Sequence, residues 1–351
     1  MQSFQKLLES YDYKFPPELI AQAPVSPRDA AKLLVYDRTT GQTSHDIYRN
    51  ILKHLPKNSV LVLNQTKVVP ARLEVIKPSG GKARILYISS EKEYLIFLSD
   101  RKLEPGSLVK MSSVTPKGKA IAFTVFKKSD QFYYLKPSFP VKKVYEVLNE
   151  YGQTPLPPYI KSPRLKGKKL LKEYNTVFAK TLGSVAAPTA SLHFTPALLN
   201  KIQKAGIQIV YTTLHVNLGT FAPLHEDQWK KQRLHEEWYE ISNAAAKTLN
   251  SAKKSGSTII AVGTTVVRTL ESASNPAGKL TKLSGNTHLF ITERTKLRFV
   301  DSLLTNFHVP RSSLLMLVSS LIGRKRLLEL YKMAIRKKYR LFSFGDGMYI
   351  K

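Results

Sequence analysis

The apolar positions of the chain follow two periods. In residues 32–63, and again from 141 to the C-terminus, apolar runs of strand length alternate with segments whose apolar residues recur every three or four positions. The first part holds a strand at 32–36, a turn at 37–41, a short helix at 47–55 and an apolar strand at 59–63. The later part predicts a helix at 141–151, a stiff proline-rich connector at 154–159 and an exposed basic loop at 161–172. A helix at 196–205 follows, with Thr195 as N-cap, Pro196 in its first turn and Gly206 closing it. Then come a buried strand at 207–214, a helix at 243–254 capped by Ser242, and a strand at 258–262. Gly263-Thr264-Thr265 opens a helix running through 271, strands lie at 288–292 and 299–304, and helices at 312–322 and 324–338. A last strand falls around 345–348.

Between 71 and 137 the period shortens to two. About six short runs with β-branched or aromatic alternation lie near 72–77, 83–89, 93–98, 107–111, 119–127 and 131–136. Turn residues punctuate them at 78–81, 104–106 and 116–118, and no helical run intervenes, which is the pattern of a small β-barrel. The expected fold is therefore α/β, with a mixed, largely parallel sheet, open or barrel-like, and an inserted small antiparallel β-barrel. The division this implies is a core of residues 1–70 plus 141–351 and an inserted domain at 71–140.

In parallel sheets ligands bind beyond the carboxyl ends of the strands. Polar loops follow Leu63, Leu214, Val262 and Leu304, and parallel strands would bring all four to one rim. Residues 183–221 carry two loops of small and hydroxyl residues, each with one histidine, His193 and His215. Small residues let a ligand approach the backbone, and hydroxyls and imidazoles bind or move protons near neutral pH. Capping of strand ends by the same histidines is equally open. Gly263-Thr264-Thr265 at a helix start could receive an anion, or serve simply as a cap. His193, His215 and His308 could together hold zinc, but none has H-x-H or H-E-x-x-H spacing, so acid–base work is the better reading. No dinucleotide or P-loop fingerprint is present.

Charge then narrows the partners. A net charge of +30 over 351 residues favours a polyanion, nucleic acid or anionic lipid, unless it reflects a lysine-rich composition throughout the host. Six of the basic residues fall within 161–172. The chain has no cysteine, which excludes disulfides, thiolate zinc sites and a cysteine nucleophile. Residues 1–13 lack the pattern of a signal peptide and the longest apolar run, 314–322, is too short to span a bilayer, so a cytoplasmic protein is expected.

Several ordered motifs carry a resemblance. They are residues 63–73 (Leu-Asn-Gln-Thr-Lys-Val-Val-Pro-Ala-Arg-Leu), 183–194, 213–221 and 235–239, followed by 261–271, 305–310 and 339–350. In these the chain resembles the S-adenosylmethionine:tRNA ribosyltransferase-isomerase family of queuosine biosynthesis, from Tyr11 to the C-terminus. It departs from that pattern at Gln65, Asn175, Ser191 and Asn217, the last two standing where glycine is expected. The resemblance implies transfer and isomerisation of the ribosyl part of S-adenosylmethionine onto 7-aminomethyl-7-deazaguanine at the wobble position of tRNA. Epoxyqueuosine forms, and adenine and methionine leave. It further implies a monomer acting on tRNAs that accept tyrosine, histidine, asparagine and aspartate, with S-adenosylmethionine as a substrate and no metal. A zinc hydrolase and a non-catalytic RNA-binding protein are the rival classes. Under the resemblance, His193, His215 and Asp346 are candidates for proton transfer. Asn64, Arg72, Thr189, Ser191, Asn217, Thr220, Thr264, Thr265, Arg268, Asn306 and His308 are candidates for holding substrate. Lys166, Lys168, Lys169, Arg324, Lys325, Arg326, Lys337 and Lys338 are candidates for holding RNA.

Overall fold

The computed structural model describes residues 3–114, 120–161, 163, 165–217 and 223–351, the side chains of 112–114 excepted. Thr220 and the expected turn at 116–118 lie outside the described residues. The chain enters through helix α1 (Phe4–Glu9) and a hairpin of β1 (Lys32–Tyr36) and β2 (Thr43–Ile47). A short 3₁₀ helix at Tyr48–Lys53 leads to β3 (Ser59–Asn64). After β4 (Thr66–Val68) come β5 (Arg72–Ile76), β6 (Lys82–Glu91), β7 (Tyr94–Ser99), β8 (Leu108–Val114), β9 (Ala120–Ser129) and β10 (Phe132–Pro137). The return runs through α2 (Val144–Tyr151), α3 (Gly167–Glu173) and β11 (Thr181–Ser184), which pairs in parallel with β4.

The remainder alternates: α4 (Pro196–Lys204), β12 (Gln208–Leu214), α5 (Glu226–Lys231), β13 (Arg233–Glu240), α6 (Asn243–Lys254), β14 (Thr258–Val262) and α7 (Thr264–Ala273). It ends with β15 (Ser284–Leu289), β16 (Ser302–Asn306), α8 (Ser313–Ile322), α9 (Arg324–Arg336) and β17 (Gly347–Ile350). Nine strands make one sheet in the order β15-β13-β12-β3-β14-β16-β17-β1-β2. Its middle four, β12, β3, β14 and β16, are parallel; β17 is antiparallel to β16 and parallel to β1. The sheet is thus mixed and open, with a parallel centre.

Alternation along the buried strands sends side chains to two cores. Val60 and Val62 of β3, with Ile259 and Ala261 of β14, face the layer built by α6, α7, α8 and α9. Leu61, Leu63, Ile260 and Val262 face the opposite layer, where Leu198, Leu199 and Ile202 of α4 pack with Tyr48 and Ile51. The α4 helix forms as its sequence predicts: the Thr195 hydroxyl accepts from Leu198 N–H at 3.1 Å and Pro196 opens the first turn.

Strands β5 to β10 close on themselves as an antiparallel barrel in the order β10-β7-β6-β5-β8-β9. Its own core, including Phe97, Phe123, Val109 and Leu135, also receives Val144 and Leu148 of α2. The 161–172 segment differs from the expected loop, because its end coils into α3. The short helix expected at 47–55 forms as a 3₁₀ helix at Tyr48–Lys53, and the strands expected at 288–292 and 299–304 run at Ser284–Leu289 and Ser302–Asn306.

Chain entry to and exit from the barrel meet at Gly152. A Cβ there would overlap the carbonyl oxygens of Pro70 and Leu148, both backbone atoms that cannot swing aside. Gly152→Ala is expected to lose about 1–3 kcal/mol or more, measured by denaturant titration. An unchanged midpoint would show that the crossing is looser than this.

Candidate functional site

The parallel centre sets the carboxyl ends of β3, β12, β14 and β16 along one rim. Two asparagines organise it. Asn64, fully buried at the end of β3, donates from Nδ2 to the Leu214 carbonyl (3.0 Å) and the Thr265 hydroxyl (3.3 Å). Its Oδ1 accepts from the N–H groups of Leu214 (3.1 Å) and Thr66 (3.0 Å). Asn306, at the end of β16, accepts on Oδ1 from the Thr189 hydroxyl (3.0 Å), while its Nδ2 lies 3.4 Å from His193 Nε2 and 3.5 Å from the Asp346 carbonyl.

Between these anchors lies a narrow cleft of about 50 Å³ that opens to solvent. Thr189, Thr264, Thr265, Asn306 and His308 line it, with Val216, Tyr159, Phe307, Phe342 and Ser343. The lining thus combines hydroxyl, amide and imidazole groups with apolar and aromatic side chains. A smaller recess shares Thr264, Thr265 and Leu314 with the cleft and extends to Arg268, His235 and Glu237. Arg268 is ion-paired through Nη1 with Glu237 and donates from Nε to the Leu289 carbonyl (3.2 Å). Burial pushes its guanidinium down to about 10.

The histidines fall into separate clusters. His193 is buried, stacked on the Tyr48 ring with centroids 4.1 Å apart. Burial, helped by the charge of Arg340, pushes it down to about 3. The Nδ1 atom of His215 lies 2.8 Å from the Thr66 hydroxyl and its ring stacks on Trp238. Burial lowers it to about 4. Gly183 leaves room for this ring: an added Cβ would stand 2.8 Å from Nε2, and its φ of +139° disfavours a side chain. His308, part-open to solvent, is 2.9 Å from the Thr305 hydroxyl through Nε2, and its N–H donates to the Tyr331 hydroxyl at 2.7 Å. Burial moves its ring in the same direction.

Of the expected proton-transfer residues, none lines the cleft. The Asp346 carboxylate is held by four donors: Lys32 N–H (3.1 Å) and Arg340 Nη2 (3.1 Å) and Nε (3.3 Å) on Oδ1, and Arg340 N–H (2.8 Å) on Oδ2. Ser191 is fully buried with no partner for its hydroxyl. Asn217 bonds Glu237 through its N–H (3.1 Å) and the Glu236 carbonyl through Nδ2 (3.0 Å). Neither Ser191 nor Asn217 has positive φ, so these positions do not need glycine's freedom. Arg72 lies elsewhere, in a broad groove between barrel and core that also includes Arg84, Pro157, Lys166 and Lys168. Asn175 accepts Val68 N–H on Oδ1 (2.8 Å) and donates to the Leu171 carbonyl (3.0 Å), joining β4 to α3.

Among the basic candidates, Lys166, Lys168, Lys169, Lys325, Lys337 and Lys338 are exposed. Arg324 is instead tied to the Ser10 hydroxyl (2.7 Å), and Arg326 to the Tyr36 hydroxyl (3.2 Å) and Glu329 (3.0 Å). Sequence reasoning gave no role to Tyr159, Phe342, Ser343, Tyr48, Glu237 or Trp238. Glu237 and Trp238 sit in the motif at 235–239 and Phe342 and Ser343 in that at 339–350; nothing local to Tyr159 or Tyr48 marks them. Among the described residues no three His, Asp or Glu side chains gather as a metal site, and no helix is long and apolar enough to cross a membrane.

Comparison with known proteins agrees with the motifs. The family model described as queuosine biosynthesis protein matches residues 8–350. A Carboxydothermus hydrogenoformans protein named S-adenosylmethionine:tRNA ribosyltransferase-isomerase is 42% identical over 347 residues, covering 98% of this chain and 99% of that one. One of the same name from Clostridioides difficile is 41% identical over 350 residues, covering 98% and 100%. The crystal structure of a Thermotoga maritima S-adenosylmethionine tRNA ribosyltransferase matches with a TM-score of 0.55 and 32% identity, over 97% of this chain and all of the other. With a family match of nearly full length, relatives above 40% identity and a solved structure of the same architecture, the chain belongs to the queuosine biosynthesis protein family.

Proposed function

We propose that this protein is an S-adenosylmethionine:tRNA ribosyltransferase-isomerase working at the cleft on the parallel rim. It moves the ribosyl moiety of S-adenosylmethionine onto 7-aminomethyl-7-deazaguanine at the wobble position of tRNA and isomerises it. Epoxyqueuosine results, with adenine and methionine released. The observation that carries this reading is the convergence of three strand-end loops, those after β12, β14 and β16, on one cleft whose lining combines hydroxyls and an amide with aromatic side chains. That is the lining a nucleoside wants: donors and acceptors for ribose, a flat apolar face for a base. The protein acts as a monomer in the cytoplasm on tRNAs accepting tyrosine, histidine, asparagine and aspartate, without a resident metal. Residues 71–140 serve as an inserted domain on a catalytic core of 1–70 plus 141–351.

The chemistry asks for an acceptor near the ribose carbon that the sulfonium acidifies, and a donor for departing adenine. His308 borders the cleft and takes the acceptor's position, while Asn306, whose amide can hydrogen-bond but not transfer a proton, holds the S-adenosylmethionine together with Thr189, Thr264 and Thr265. His193 acts through Asn306, with which it is in contact, and His215 holds the Thr66–Trp238 cluster beside the rim. Asp346 anchors the β1–β17 junction through its four donors rather than moving a proton. Asn64 sets the loops, and Ser191 and Asn217 shape them.

Direct and indirect roles separate kinetically. His308→Ala should slow single-turnover adenine release by about 10²–10⁴-fold with tRNA affinity retained. His193→Ala and His215→Ala should slow it less and lower thermal stability as well. Normal turnover in folded His308→Ala would return the burden to His193 and His215.

Neutral buried histidines also fix the sign of the acid response. His193, at about 3 when folded against 6.5 when unfolded, keeps its full contribution to stability above pH 6.5. The unfolded chain then takes up the proton first, and stability falls as pH drops from 6.5 toward 3. The wild type should lose up to about 1.4 kcal/mol per pH unit relative to His193→Phe across that window. A difference that does not change with pH would exclude a buried neutral imidazole.

For RNA, the exposed lysines at the start of α3 and the one just before it are the simplest target. Reversing Lys166, Lys168 and Lys169 to glutamate should weaken tRNA binding and flatten its salt dependence by about 0.7–0.9 in the log–log slope per lost phosphate contact. An unchanged slope would make them ordinary solvated surface.

A further inference from the structure

Arg268 stands one turn into α7, and a helical side chain leans back over the turn before it, here Thr264 and Thr265. Its side chain is only 7% exposed, and Nη2 has no hydrogen-bond partner although Nη1 and Nε are engaged. A buried guanidinium edge left unpaired is costly, so a site of this kind is completed by an acceptor. The helix end beside it is also open. The first N–H groups of a helix have no intrahelical acceptors, and the N-cap is Gly263, which has no side chain to offer them. The recess that brings Arg268, Thr264 and Thr265 together shares Thr264, Thr265 and Leu314 with the main cleft beside it.

We propose that this recess is a carboxylate subsite, in which Arg268 Nη2 and the Thr264 and Thr265 N–H groups hold the α-carboxylate of the methionyl arm of S-adenosylmethionine. The subsite rests on the functional reading above and gives it an orientation: adenosine in the main cleft, sulfonium at the Thr264–Thr265 wall, carboxylate at Arg268. A planar, singly charged group suits one free guanidinium edge beside a helix N-terminus. A backbone phosphate is flanked by two sugars and does not enter a recess whose cation is so nearly closed off from solvent.

The test compares S-adenosylmethionine with its decarboxylated analogue on the full chain, both measured with precursor tRNA present. The wild type should bind the intact donor about 10–100-fold more tightly than the analogue. Arg268→Lys keeps a charge against Glu237 but removes the second nitrogen, and should narrow that ratio to about threefold or less while leaving analogue affinity nearly unchanged. The double variant R268M/E237L, which removes the ion pair whole, should narrow it equally. Should both variants fail to fold, the wild-type ratio alone decides. A wild-type ratio near one overturns the subsite but leaves the functional reading intact, since both ligands bind. Equal weakening of both ligands by Arg268→Lys makes Arg268 a structural ion-pair partner, and overturns it too. Loss of tRNA affinity with an unchanged ligand ratio would transfer Arg268 to a phosphate. A folded wild type that binds neither ligand overturns the functional reading together with the subsite.

Discussion

The buried amide of Asn64 makes four hydrogen bonds, and the positions of the rim loops depend on them. Two run to the backbone of Leu214, one to Thr66 N–H and one to the Thr265 hydroxyl. An asparagine has two donor hydrogens and an oxygen with two lone pairs, so this one is fully used. Because its surroundings exclude water, no bond can be lost without leaving a buried polar group unpaired. The ends of β3 and β12 and the start of α7 are thereby held in one register, with the N-terminus of α7 facing both the cleft and its recess.

A second layer of constraint lies behind the cleft. His193 reaches the Asn306 amide, Asn306 holds Thr189, and Asp346 gathers Lys32 and Arg340 around the start of β17. The imidazole in this layer is neutral because burial beside Arg340 disfavours its charge. A neutral ring can donate on one nitrogen and accept on the other, which suits orienting an amide better than storing a proton. The cleft lining is thus backed by a second, buried layer of hydrogen bonds.

The barrel and the exposed lysines supply a different kind of surface. The groove between barrel and core carries Arg72, Arg84, Lys166 and Lys168, while Lys325 of α9 and Lys337 and Lys338 just after it are exposed. Flexible ammonium groups can follow a phosphate backbone, whereas Arg324 and Arg326 are already engaged inside the fold. Most of the positive excess is therefore free for long-range attraction rather than consumed in folding.

Helical periodicity and caps at 196–205, 243–254 and 258–271 predicted α4, α6, β14 and α7 nearly to the residue, since local propensity and burial agree there. The change of period after residue 70 likewise announced the barrel, and the polar strand ends announced a rim. The strand β13 escaped notice because its sequence is mostly charged, with only Glu237 and Tyr239 of its side chains buried. Of the cleft lining, the sequence picked out Thr189, Thr264, Thr265, Asn306 and His308 but not Tyr159, Phe342 or Ser343. His193, Asp346 and Asn64 are engaged in tertiary hydrogen bonds and do not line the cleft; His308, Tyr159 and Phe342 reach it from segments far apart in the chain. Local patterning determined the elements and the family motifs. The meeting of Arg268 with Glu237 and of Asn64 with Leu214 and Thr265 was decided only by packing, because a side chain's partners depend on strand order, which no local period records.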